Sequence, residues 1–156
     1  MPLEKYRYIV VEGPIGVGKT SLTQRLAEHT GAQTLLEKPQ DNPFLERFYQ
    51  DSARYALPTQ LFFLFQRINE VRELAQMDLF SNRTISDYLF EKDALFAQLT
   101  LSEDEFKLYQ SVYQSLALQA PTPDLVIYLQ ASTDALIERV QRRGHRYERS
   151  ISDDYL

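Results

Sequence analysis

Residues 6–31 read YRYIVVEGPIGVGKTSLTQRLAEHTG, and the reading of this stretch decides the fold. Its opening run, YRYIVVE (6–12), is β-branched and aromatic and stops at Gly13, the pattern of a buried strand delivered into a turn. From 19 to 30 the apolar Leu22, Leu26 and Ala27 recur at helical spacing, and Gly31 stands where a left-handed C-terminal cap belongs. Between strand and helix lies GPIGVGKT: Gly13, Pro14, Ile15, Gly16, Val17, Gly18, Lys19 and Thr20, with Ser21 next. Two glycines five residues apart followed by Lys and Thr, in that context, form a phosphate-loop pattern. The glycines let successive backbone N–H groups turn inward on a phosphate, and the helix adds its positive end. Lys19 is placed to reach β and γ oxygens, and Thr20 to offer a hydroxyl to Mg2+. An ordinary glycine-rich turn is the competing reading, and the succession of strand, loop, Lys-Thr pair and amphipathic helix weighs against it.

Outward from this unit, residues 33–36 form a second short strand pattern, and Pro39, Pro43 and Pro58 punctuate the chain around a short helix at 44–49. A long helix is predicted over 59–77, with a wide apolar stripe that includes Leu61, Leu64, Ile68 and Val71. A strand over 82–86 ends at Asp87, and helices follow over 90–99 and 102–118. LVIYL (125–129) has the continuous apolar character of a parallel strand covered on both faces, and Ser132 or Thr133 caps a helix reaching about Arg143. Strands alternating with helices specify an α/β protein, a three-layer sandwich around a mainly parallel sheet. Ser152, Asp153 and Asp154 are helix-initiating residues with only two residues after them, so the expectation is one domain over 1–156, truncated at its C-terminus and lacking a last helix and strand.

Composition narrows the function. Seventeen basic against 22 acidic side chains give a net charge of −5 over 156 residues, which argues against a general nucleic-acid binder. No apolar run approaches the roughly 20 residues that span a bilayer, and the start MPLEKYRY lacks the apolar core of a signal peptide. A soluble, unexported protein with no membrane partner is expected. The absence of cysteine removes disulfides, thiolate metal sites and thiol catalysis together.

Acceptor chemistry has to come from elsewhere in the chain. Glu37 and Asp87 sit at strand ends, which in an open parallel sheet border the crevice of the phosphate loop. One could deprotonate an acceptor hydroxyl while the other holds hydrated Mg2+; the alternative makes both solvated turn residues. Gln60 and Arg67, seven residues apart, share a face of the long helix with Phe63 between them. They suit the edge and face of a nucleobase, or equally an exposed helix margin. Arg139, Arg142, Arg143, Arg146 and Arg149 cluster around Gly144, as in a movable phosphate clamp. Basic residues complementing a helix C-terminus explain one or two of them, and an RNA-binding patch conflicts with the net charge.

These residues resemble the deoxyribonucleoside kinases, specifically the bacterial deoxyadenosine and deoxyguanosine kinases related to deoxycytidine kinase. The likeness runs from Tyr6 to Glu148 through GPIGVGKT, LLEKPQDNPFLERFY (35–49), PTQLFFLFQR (58–67), SDYLFEKDALFA (86–97) and RRGHRYE (142–148). The resemblance implies a P-loop kinase fold and ATP- and Mg2+-dependent phosphorylation of the 5′-hydroxyl of a deoxyribonucleoside in cytoplasmic nucleotide salvage, by a homodimer. It implies Glu37 as base, Tyr49 and Glu148 on the sugar 3′-hydroxyl, and Gln60 with Phe63 and Phe96 around the nucleobase. Arg67 and Asp93 match a pair kept by the purine- and cytosine-accepting branch, which tilts the substrate toward purines. Arg139, Arg143 and Arg146 fall in the lid over the ATP phosphates, with Arg143 and Lys19 as catalytic cations, and Thr20 with Asp87 fall at the metal.

Two departures stand out. The family has Arg directly after the acid of its third strand, whereas Asp87 is followed by Tyr88, and Lys92, five residues on, is a candidate to replace that cation. Lys38 separates Glu37 from Pro39 where the family often has Glu-Pro, which puts the local path of Glu37 in question. Two rivals remain: a nucleoside monophosphate kinase of thymidylate kinase type, and a catalytically degenerate nucleotide-binding subunit.

Overall fold

A computed structural model describes residues 2–77, 83–117 and 120–144. Four strands, β1 (Tyr8–Glu12), β2 (Gln33–Leu35), β3 (Thr84–Ser86) and β4 (Leu125–Tyr128), make one parallel sheet in the order β2-β3-β1-β4. Tyr8 pairs with Thr84, Val10 with Val126, and Leu35 with Ser86. Helices α1 (Lys19–Thr30), α2 (Leu45–Gln50), α3 (Ser52–Met77), α4 (Lys92–Thr100), α5 (Glu103–Ala117) and α6 (Thr133–Arg143) supply the connections and flank the sheet. Every residue of β1 and β3 is buried, as a parallel sheet with both faces covered requires.

The core has three parts. Ile9, Val11 and Ile85 pack against Leu22, Leu26 and Ala27 of α1. Leu64, Ile68 and Val71 of α3 meet Phe90, Ala97 of α4 and Tyr109 of α5. Leu45 and Phe48 of α2 pack on Ala56 and Phe63 of α3, which fixes α2 beside the start of the long helix. No helix among the described residues is long and apolar enough to cross a membrane.

The element order agrees with the sequence pattern, and the differences have local causes. The long helix starts at Ser52 rather than 59 and carries Pro58 inside it. Proline there removes a donor and ordinarily costs about 3 kcal/mol or more. Burial of Ala56 against Leu45, Phe48 and Phe63 holds the preceding turn helical all the same. The first strand begins at Tyr8, not at 6, because the N–H groups of Arg7 and Tyr8 donate to the Asp124 carboxylate, each at 2.9 Å. The second stops at Leu35 because the Glu37 N–H goes to the Asp87 side chain. Lys92 and Asp93 bond back three residues to Leu89 and Phe90, so the regular α4 starts after a tight turn. Among the described residues LVIYL lacks the expected cover on one face: β4 lies at the edge of the sheet, with Val126 and Tyr128 exposed and Leu125 and Ile127 turned to the core. The expected helix start at Ser152 lies outside the described residues.

Ile85 is fully buried at the centre of the sheet, so Ile85→Ala should cost roughly 2–5 kcal/mol and lower the melting temperature by roughly 10 °C. Val126→Ala, on the open face, should shift it by no more than about 2 °C. Thermal melts followed by circular dichroism check both.

Candidate active site

The phosphate loop is shaped by what lies behind it. Gly16 and Gly18 have φ of 85° and 105°, a region that favours glycine. A Cβ on Gly16 would also come within 2.9 Å of the Leu136 carbonyl, so α6 packs directly on the loop. Arg139 of α6 donates to the Val17 carbonyl at 3.3 Å. Gly18 caps α1 without a side-chain hydrogen bond, leaving the first-turn N–H groups to an anion.

In front of the loop lies a cavity of about 500 Å³, of a size that suits a small organic ligand. Ile15, Gly16, Gly18, Lys19, Thr20 and Ser21 line one side, Glu37 and Asp87 the strand ends, and Arg139 and Arg143 the α6 side. Tyr49, Gln60, Phe63, Arg67, Tyr88 and Phe96 are among the residues of the remaining wall, together with Glu12 and Lys92. Residues from five helices and three strand ends thus converge. Gly13, Pro14 and Val17 do not line it: Gly13 and Val17 are buried behind the loop, and Pro14 borders a separate hollow beside Tyr128 and Leu136. Arg146, Arg149 and Glu148 lie outside the described residues.

Asp87 organises the centre. One carboxylate oxygen accepts the Glu37 N–H at 2.6 Å and the other accepts the Thr20 hydroxyl at 2.6 Å, which ties the ends of β2 and β3 to the start of α1. Burial raises its pKa despite both bonds. Thr20 and Asp87 are hard oxygen donors side by side at the cavity, and they fit a hydrated Mg2+ that takes its other ligands from phosphates and water. Among the described residues no cluster of three His, Cys, Asp or Glu offers a self-contained metal cage.

The second centre is Arg67. It pairs with both Glu37 and Asp93, the latter at 2.7 Å, and its guanidinium lies over the rings of Phe63 and Tyr88 at 4.7 and 5.4 Å. Burial works against a charge on Glu37, but Arg67, Lys19 and Lys92 overcome it and hold the carboxyl below its usual range. Asp93 shifts the other way, since burial outweighs Arg67 and the Tyr109 hydroxyl that donates to it. It does not line the cavity; it stands behind Arg67 and reaches a ligand through it. The Arg67 Nε is buried and unpartnered among the described residues, and Gln60 is a buried residue of the cavity wall.

Tyr88 brings no cation. It is buried, and its hydroxyl donates to Glu70 at 2.6 Å. Lys38 is exposed and does not displace Glu37 from Arg67. Sequence reasoning passed over Glu12, whose signal was a carboxylate closing a wholly apolar strand. It also passed over Tyr109, which read as one more apolar helix position and carried no signal.

The family model for deoxynucleoside kinases matches residues 9–156. This chain belongs to the deoxynucleoside kinase family. It is 33% identical over 150 residues to a deoxyguanosine kinase of Bacillus subtilis, covering 96% of this chain and 72% of the relative. It is 33% identical over 158 residues to a deoxyadenosine kinase of Lactobacillus acidophilus, covering 95% and 72%. The structure of a deoxyadenosine kinase from M. mycoides superposes with a TM-score of 0.81 at 23% identity, over 95% of this chain and 77% of that one. Sequence and fold thus place the chain among kinases of deoxynucleosides, as the motifs implied.

In this kinase, a depressed Glu37 pKa contributes stability above the ordinary Glu value of 4.5, and the contribution is lost as pH falls through the depressed value. Glu37→Gln removes it. The stability gap between parent and Glu37→Gln should therefore be widest at neutral pH and shrink below about pH 4.5, measured by urea unfolding at pH 7, 4 and 3.

Proposed function

We propose that the chain transfers the γ-phosphoryl of ATP to the 5′-hydroxyl of a purine deoxyribonucleoside, with Mg2+, in cytoplasmic nucleotide salvage. The observation that carries this reading is Glu37 at the meeting point of two half-sites. The phosphate loop and Asp87 lie on one side of it, and Arg67, Gln60 and Phe63 lie on the other. The bond from the 5′ oxygen to the γ-phosphorus forms as the bond from that phosphorus to the bridging oxygen of ADP breaks. The hydroxyl proton passes to Glu37.

Asp87 fixes the Glu37 backbone, and Arg67 holds its side chain, so the base is oriented before substrate arrives. Mg2+ at Thr20 and Asp87 would neutralise charge on the phosphates. Lys19 and the first-turn N–H groups of α1 hold those phosphates, and Arg139 and Arg143 close on them from α6. Gln60 and Arg67 present an amide and a guanidinium to the base edge, with Phe63 and Phe96 against its faces and Tyr49 beside the sugar. The kinship with deoxyguanosine and deoxyadenosine kinases supports a purine.

We also read the chain as a homodimer: Phe65, Leu95, Leu99 and Leu108 expose apolar side chains on α3, α4 and α5. Light scattering that returns the monomer mass at micromolar concentration would remove that part.

Incubation with labelled ATP and a panel of deoxynucleosides and monophosphates tests the function. Deoxyadenosine or deoxyguanosine should have the highest kcat/KM, and thymidine or a monophosphate as best acceptor would overturn the reading. Glu37→Gln should lower kcat by about 10²–10⁴ while nucleoside binding stays within about threefold. A change confined to KM would reassign Glu37 to binding.

A further inference from the structure

Strand β1 ends in a carboxylate that gathers two lysines beside the phosphate loop. Glu12 is 5% exposed and accepts the N–H groups of Gly13 at 2.8 Å and Leu89 at 3.0 Å. Its Oε1 also takes Lys92 Nζ at 2.5 Å and lies 3.8 Å from Lys19 Nζ. Lys92 donates in addition to the Gly13 carbonyl at 2.8 Å, and its ammonium lies 5.3 Å from the Phe96 ring centre. An ammonium has three donors, and the described contacts use two. The remaining one belongs to a group that lines the cavity.

Two lysines on one buried carboxylate are an unfavourable way to build a clamp. Either would neutralise Glu12, and both also act on Glu37, whose carboxyl they help to hold in its charged form. Burial and the Lys19 charge both press the Lys92 pKa downward, with Glu12 opposing them. Both ammonium groups line the cavity directly in front of the phosphate loop, where donor phosphates are held. Tyr88 supplies no charge, and the α6 arginines approach from a separate element.

The geometry points to Lys92 as a second catalytic cation, which touches the γ-phosphate of the donor beside Lys19 and stabilises the phosphoryl group in transit, with Glu12 as the positioning residue. This rests on the kinase reading above and assigns it a charge carried by α4. Because Glu12 adjoins Gly13, loop and cation are placed by one strand end. Donor phosphates therefore meet both lysines at once, at fixed separation.

The full chain serves as its own test. Lys92→Gln removes the charge and leaves an amide, on a side chain one atom shorter, facing Glu12 and the Gly13 carbonyl. It should weaken ATP binding about tenfold with ADP binding within about twofold. It should lower kcat about a hundredfold with deoxynucleoside KM within about threefold, and Lys92→Arg should recover at least about tenfold of that loss. Glu12→Gln should give part of both effects. Equal weakening of ATP and ADP, or a Lys92→Gln kcat within about fivefold of the parent, overturns the assignment. In the unaltered protein, amine acetylation mapped by mass spectrometry should be slowed at Lys92 by ATP and not by ADP; equal protection also overturns it. That measurement needs neither a folded variant nor a nucleoside acceptor. A parent that phosphorylates no deoxynucleoside would therefore refute the kinase reading and leave the Lys92 contact to be decided by protection alone.

Discussion

All four strands run the same way, and their carboxyl ends open on one edge of the sheet. That constraint brings Glu12, Glu37 and Asp87, which are far apart in the chain, to one crevice, because each follows or ends a strand of this sheet. The Ile9 and Ile85 pair is fully buried in β1 and β3, and a slip would break its packing against α1. With that register fixed, Asp87 falls where one carboxylate reaches both the Glu37 N–H and the Thr20 hydroxyl. The parallel sheet thus acts on the chemistry through Asp87, whose two oxygens fix a candidate base and the start of the phosphate-loop helix in one frame.

The charges around this frame form two groups that meet at Glu37. At the phosphate end Lys19 and Lys92 gather on Glu12, and at the far end Arg67 bridges Glu37 and Asp93. Each group is buried, so removal of one partner strands a charge at a cost larger than the pair contributes by forming. The arrangement favours a rigid, pre-oriented site over maximal stability. Arg67 has a further consequence: it lines the cavity and at the same time depresses the pKa of Glu37, so the charge of that carboxyl depends on this one guanidinium.

Much of this was legible in the linear chain because local rules dictate it. The phosphate loop is contiguous, its glycines are demanded by backbone angles, and the strand and helix around it have clear periods. Glu37, Gln60, Phe63, Arg67 and Asp87 were identifiable as polar or aromatic residues at strand ends or on one helix face, and the cavity does gather them. Pro58 misled, since a proline ordinarily stops a helix, and only the burial of Ala56 against α2 keeps that turn helical.

The sequence by itself determined the order of elements, the phosphate loop and the family, because these depend on short-range periodicity and on contiguous residues whose spacing is the chemistry. Only the tertiary structure decided that Asp93 stands behind Arg67 rather than at the cavity and that Tyr88 turns its hydroxyl to Glu70. It alone showed that Lys92 shares Glu12 with Lys19. Apart from Lys19 and Glu12, which lie close in the chain, those partners meet across separations of 18 to 80 residues, where no local period carries information and burial with charge balance selects the partners.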